Sequence, residues 1–133
     1  MNSYNGFSPE QREKAQRWLR SQWESGALAR PSTCCACGQT RGVIHAHAED
    51  YSEPFGDQTH AYHLCYRCHI CLHLRFRNPD GWARYKQALR DGWTWAPLFF
   101  ADFNEINLTL AGKSHPQSKG KPRESLVFDR IGI

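Results

Sequence analysis

The first apolar pattern in the chain has helical spacing. Ala15, Trp18, Leu19 and Trp23 recur at intervals of three and four, while Glu10, Arg12, Glu13, Lys14, Arg17 and Arg20 fill much of the rest. This predicts an amphipathic helix from Ser8 to Gly26 with one buried face. Ser8 suits the N-cap, Pro9 the first helical position and Gln11 the far side of a capping box. Gly26 stops the helix.

From Cys34 to His73 the periodicity is poor, as in small domains where a metal ion replaces part of the core. Gly42 to His47 alternates weakly and predicts a strand. Thr59 to Leu64 is its expected partner, with Pro54, Gly56 and Asp57 turning between them. His69 to Arg77 predicts a short helix that halts before Asn78-Pro79, because the residue before proline is pushed out of helical space. A further helix, Pro79 to Arg90, has Asn78 as its cap and turns Trp82, Tyr85 and Leu89 inward. Beyond Asp91 the aromatics Trp93, Trp95, Phe99, Phe100 and Phe103 read as a wrap over a small domain. Residues 111–124, with Gly112, Pro116, Gly120 and Pro122 among lysines, read as a flexible basic linker. The apolar tail 125–133 is expected to dock as a strand or to bind a partner. One domain is therefore expected over 1–110.

With 133 residues the chain can build one modest core. Its 40% hydrophobic and 13% aromatic content excludes a disordered chain. No apolar run approaches the roughly 18 residues of a membrane span, and Met1 to Ser8 lacks the features of a signal peptide. The expected location is cytoplasmic, with no membrane partner. In a reducing compartment, six cysteines point to metal rather than to disulfides. The net charge of +4 is mild but clustered. Arg75, Arg77, Arg84, Lys86 and Arg90 stand against the single acid Asp80 in one stretch, and Lys113, Lys119, Lys121 and Arg123 against Glu124 in another. Two such patches suit a polyanion such as nucleic acid.

Cys34 and Cys37 form one C-x-x-C and Cys65 and Cys68 a second, with 27 residues between the pairs. Four thiolates so spaced can surround one tetrahedral zinc on two tight knuckles, and Gly38 supplies the turn freedom that a knuckle needs. Cys35-x-Cys37 is a poorer chelate, and Cys71 reads as a buried apolar residue. A second cluster is His47, His69 and His73. His69 and His73 stand at i and i+4 on one helical face, and His47 ends the predicted strand. The trio makes a three-ligand site that leaves positions open for water and phosphate.

Three segments together resemble phage and bacterial HNH (ββα-metal) endonucleases. They are Cys34-Cys35-Ala36-Cys37-Gly38, His47-Ala48-Glu49-Asp50-Tyr51-Ser52-Glu53-Pro54, and Leu64-Cys65-Tyr66-Arg67-Cys68-His69 with His73. The resemblance covers residues 34–77. It implies an α+β fold with a small ββα-metal core and two zinc knuckles, flanked by an N-terminal helix, a C-terminal helix and an aromatic-rich extension. It also implies a phage or bacterial origin and hydrolysis of DNA phosphodiester bonds, as an endonuclease or nickase. The implied cofactors are a structural Zn²⁺ on Cys34, Cys37, Cys65 and Cys68, and one catalytic divalent ion (Mg²⁺, Mn²⁺, Ni²⁺ or Zn²⁺) on His47, His69 and His73. Arg75, Arg77, Arg84 and Lys86 are the expected contacts to double-stranded DNA.

The family's second histidine, which supplies the general base, is Ala48 here, and its bracing asparagine falls near His60. His45, two residues before His47 on the same strand face, is the first candidate for a substitute base, and His60 and His63 are next. A different register would make His47 the base and Glu49 or Asp50 a ligand. Two further readings stay open. One is a catalytically impaired zinc-stapled nucleic-acid-binding module or accessory subunit. The other is a zinc domain that binds a protein partner or a second copy of itself through its C-terminal region.

Overall fold

The computed structural model describes residues 1–99 and 118–133 and is a mixed α+β arrangement. Helix α1 spans Pro9–Ser25, strand β1 Ile44–His47, strand β2 Tyr62–Cys65 and helix α2 Tyr66–His73. Helix α3 spans Pro79–Arg90, strands β3 and β4 are Trp93–Thr94 and Ser118–Lys119, and helix α4 is Val127–Arg130. β1 pairs with β2, and β3 pairs antiparallel with β4 in the register Trp93 to Lys119 and Thr94 to Ser118. No helix among the described residues is long and apolar enough to cross a membrane.

The backbone clusters into two units. The first comprises Met1–Pro31 and Ala46–His63. Here α1 begins as its sequence dictates. The Ser8 hydroxyl accepts from the Gln11 backbone N–H and the Gln11 side chain accepts from the Ser8 N–H, while Gly26 ends the helix in the left-handed conformation at φ 80°. Tyr4, Ala15, Ala48 and Tyr51 form a buried cluster, with Phe7 and Phe55 packed against it. The Arg12 guanidinium lies over both the Tyr4 and Tyr51 rings, at 5.2 and 5.1 Å from their centroids. Lys14 pairs with Glu53 at 2.7 Å on the surface. Thr59 and His60 do not join a strand as expected. They sit in a 3₁₀ turn, Asp57–His60, closed by a backbone bond from Thr59 to Gly56 and by the Thr59 hydroxyl accepting from the Gly56 N–H. β2 therefore starts only at Tyr62.

The second unit comprises Ser32–His45 and Leu64–Ile133. Leu64, Leu72, Leu89, Leu126 and Phe128 are its most buried apolar side chains, and each contributes about 1.5–3 kcal/mol through burial. Helix α2 starts three residues earlier than its apolar pattern predicts. Cys65 stands at its N-cap, with the sulfur accepting from the Cys68 N–H at 3.5 Å. A 3₁₀ turn, Leu74–Phe76, continues α2. Asn78 then caps α3 through its side-chain oxygen, which accepts from the Gly81 N–H. Trp82 and Leu89 point into the core, and the Trp82 ring meets Phe128 edge-on at 4.8 Å.

Of the expected aromatic wrap, Trp93, Trp95 and Phe99 are described, and Phe100 and Phe103 lie outside the described residues, as does Lys113. The stretch expected as a linker is described from Ser118 onward, and there it is held by β4 and by Arg123. Arg123 donates to the carbonyls of Leu89 (2.5 Å), Trp93 (3.2 Å) and Cys37 (3.1 Å). The apolar tail docks as a helix rather than a strand. Leu126, Val127 and Phe128 are buried, and Asp129 pairs with Arg90 at 2.6 Å.

Candidate metal centres

The four paired cysteines converge. Their sulfurs all lie within 4.8 Å of one another. Two local devices bring them together. The first knuckle is closed by the Gly38 N–H donating to the Cys34 carbonyl and the Cys34 N–H donating to Gln39, with Gly38 at φ 81°. The second is the capped start of α2. Tetrahedral zinc with Zn–S near 2.3 Å requires sulfurs about 3.8 Å apart, and Cys37 and Cys65 stand 3.7 Å apart. Cys34, Cys65 and Cys68 are buried. Hydrogen bonds from Cys37, Cys65 and Cys68 hold the Cys34 thiol far below its ordinary range, and the proximity of Cys34 pushes Cys65 and Cys68 up. Four sulfurs this close cannot all ionise without a cation among them, so the donor set fits a metal ion such as zinc.

The cluster has a further polar neighbour that the apolar pattern does not single out. The Tyr85 hydroxyl of α3 lies 3.0 Å from the Cys68 sulfur. Burial, reinforced by Cys68, Cys71 and Cys65, keeps its phenol protonated well above the usual range. Cys35 is exposed and outside the cluster, and burial pushes the Cys71 thiol up to about 12.

Of the three expected histidine ligands, His69 and His73 lie in the second unit and His47 in the first. His69 and His73 face each other along α2, Nε2 to Nε2 at 3.0 Å. His69 turns its other nitrogen to His45, Nδ1 to Nδ1 at 3.1 Å. If Nε2 of His69 is to bind an ion, its Nδ1 carries the proton and His45 accepts it, which fixes the ring and its tautomer. Burial lowers the pKa of His45, so its ring is neutral at pH 7. His47 is buried, and its Nε2 lies 2.5 Å from Glu49 Oε2. The Glu49 carboxyl also accepts from the Tyr4 hydroxyl and the Asn5 amide. Burial opposes its ionisation, but the bonds from His47, Tyr4 and Asn5 prevail and set its pKa at about 2. With the ring proton on Nε2 toward Glu49, Nδ1 of His47 is the unprotonated nitrogen that a metal ligand requires.

The remaining candidates are dispersed. His60 and His63 pack against each other in the first unit, with ring centroids 6.2 Å apart. Asp50 is exposed and accepts from the Ser52 N–H. Ala48, at the position where the resemblance expects a base, faces the apolar cluster with Tyr4, Ala15 and Tyr51. Of the expected phosphate contacts, Arg77 and Arg84 are exposed. Arg75 is not a surface cation as expected. It is buried, because its guanidinium donates to the Leu72 carbonyl and lies 4.2 Å over the Phe76 ring. Lys86 is half-buried and donates to the Ile133 carbonyl. No known protein family, curated protein or solved structure matches the chain.

Proposed function

We propose that the protein is a zinc-stapled, metal-dependent nuclease of the HNH type that nicks or cuts DNA. The observation that carries this reading lies in the second unit: four thiols suited to a closed structural site, whose second knuckle opens the helix that sets His69 and His73 side by side. A divalent ion on His47, His69 and His73 would supply Lewis-acid stabilisation of the phosphate and the departing oxygen. The chain's own residues supply the rest. Glu49 holds the His47 ring and His45 holds the His69 ring. A neutral His45 that accepts from His69 Nδ1 carries its own proton on Nε2, so in this tautomer it orients His69 and has no lone pair left for a proton from water. Arg77 and Arg84 offer exposed cations to the DNA backbone.

One observation favours the alternative of a binding module without the reaction. Position 48 is occupied by a buried alanine inside an apolar cluster. Plasmid nicking separates the two. Protein freed of exchangeable metal is given magnesium, manganese, nickel or zinc in turn, beside His73→Ala and His45→Ala controls. Nicking that needs metal and disappears in His73→Ala supports the nuclease, and weaker metal dependence in His45→Ala supports its hold on the His69 ring. Retardation of DNA with no cleavage under any metal refutes the nuclease and leaves the module.

A further inference from the structure

Phe76 is the most exposed large hydrophobic side chain among the described residues, at 68%. Burying a phenylalanine typically gains about 1.5–3 kcal/mol, and this one forgoes most of that. The ring is nonetheless held. One face lies against the Arg75 guanidinium, 4.2 Å from the ring centroid, and Arg75 is itself anchored on the Leu72 carbonyl. A ring fixed before any ligand arrives costs little entropy on binding.

Its surroundings decide what it suits. The residues that follow it in the chain, Arg77, Asn78, Pro79 and Asp80, are all exposed and, apart from Pro79, polar, with the cation Arg77 immediately next to the ring. Phe76 closes the 3₁₀ turn that continues α2, three residues beyond His73. An aromatic face backed by one arginine and followed by an exposed one matches the chemistry that binds unpaired nucleotides, in which the base stacks and the phosphate meets a cation.

We infer that Phe76 is a stacking platform for an unpaired nucleobase, with Arg77 on the adjacent phosphate, so that the preferred substrate is DNA with a base outside the helical stack rather than continuous duplex. The inference rests on the nucleic-acid reading above and names the substrate class for it.

Fluorescence anisotropy of zinc-loaded protein, without added catalytic metal, tests it on three DNAs: a duplex, the same duplex with one extrahelical adenine, and a single strand. The wild type is expected to prefer the last two. Phe76→Ala is expected to weaken those two by roughly 5- to 150-fold while changing duplex affinity less than about twofold, and Phe76→Trp to restore them. Arg77→Ala is expected to weaken all three and to reduce the salt slope by about 1. If Phe76→Ala weakens all three equally, or none, the stacking role is wrong while the nuclease reading still stands on plasmid nicking. If it leaves all three unchanged and shifts the oligomeric state in sedimentation, the ring is a protein contact and the inference fails. A wild type that binds none of the DNAs removes both readings.

Discussion

Replacing Tyr85 by phenylalanine removes one hydroxyl and leaves the ring, which packs at a tilt against Trp95 with centroids 4.9 Å apart, in place. No cavity of consequence forms, so the change reads the hydroxyl alone. That hydroxyl lies 3.0 Å from the Cys68 sulfur, and its role depends on the state of the cluster. Without metal, Cys68 keeps its proton, since Cys34 and the other thiols push its pKa up, and either group can donate. With zinc, the sulfur is a thiolate that can only accept, and the phenol must donate to it. A hydrogen bond to a charged group is worth about 1.5–3 kcal/mol, and loss of a partner to a metal ligand typically costs 10- to 100-fold in affinity, or about 1.4–2.7 kcal/mol. Tyr85→Phe should therefore weaken zinc binding by roughly 10- to 100-fold, measured by competition with a chromogenic chelator. Thermal unfolding supplies the second half of the test, because the zinc-loaded form should lose more stability than the metal-free form. Zinc affinity within about twofold of wild type, or equal losses in both forms, would refute a donor role.

Three further outcomes follow from the same geometry. Gly92→Ala should lower the urea midpoint: the residue sits at φ 95°, where alanine costs about 1–2 kcal/mol, and an added Cβ would lie 2.5 Å from the Gly120 carbonyl oxygen; an unchanged midpoint would mean that the β3–β4 pairing yields without cost. Cys71 holds its proton to about pH 12 in the fold, against about 8.5 in the unfolded chain, so its contribution to stability is complete below about pH 8.5 and is lost as pH rises toward 12; the wild-type urea midpoint should fall more steeply between pH 8 and 10 than that of Cys71→Ala. Metal analysis should find one zinc retained per chain, and its removal should abolish near-ultraviolet circular dichroism from the second unit's aromatic residues, a signal that persists if the cysteine cluster is not a metal site.

What the sequence made legible was local and punctuated. Ser8, Pro9, Gln11 and Gly26 each mark an end of α1 by their own stereochemistry, and Asn78-Pro79 does the same for α3. The cysteine pairs and the i, i+4 histidines were equally plain, because ligand spacing is a property of the chain. The start of α2 was misplaced because its cap is a cysteine, a residue that periodicity counts as apolar. His60 was misplaced because the hydroxyl of Thr59, a residue that favours strands, closes a turn instead. The support for the sites was missed altogether. Tyr4, Asn5 and Tyr85 meet Glu49 and Cys68 across 45, 44 and 17 residues of sequence, and no pattern along the chain encodes those pairings. Arg75 looked like a surface cation, because composition cannot tell a guanidinium bound to a carbonyl from one in water.

The Arg123 contact to the Cys37 carbonyl, 86 residues apart in sequence, fixes an order of events during synthesis. All four cysteines have left the ribosome's active centre once Cys68 is added, whereas Arg123 follows roughly 55 residues later, a delay of about 3–11 s at ordinary elongation rates. During that interval the first knuckle can gather its metal while the carbonyl behind it still lacks its donor. A nascent chain halted between those two points would hold its metal in a cluster open to exchange, and translation through Arg123 would then close it.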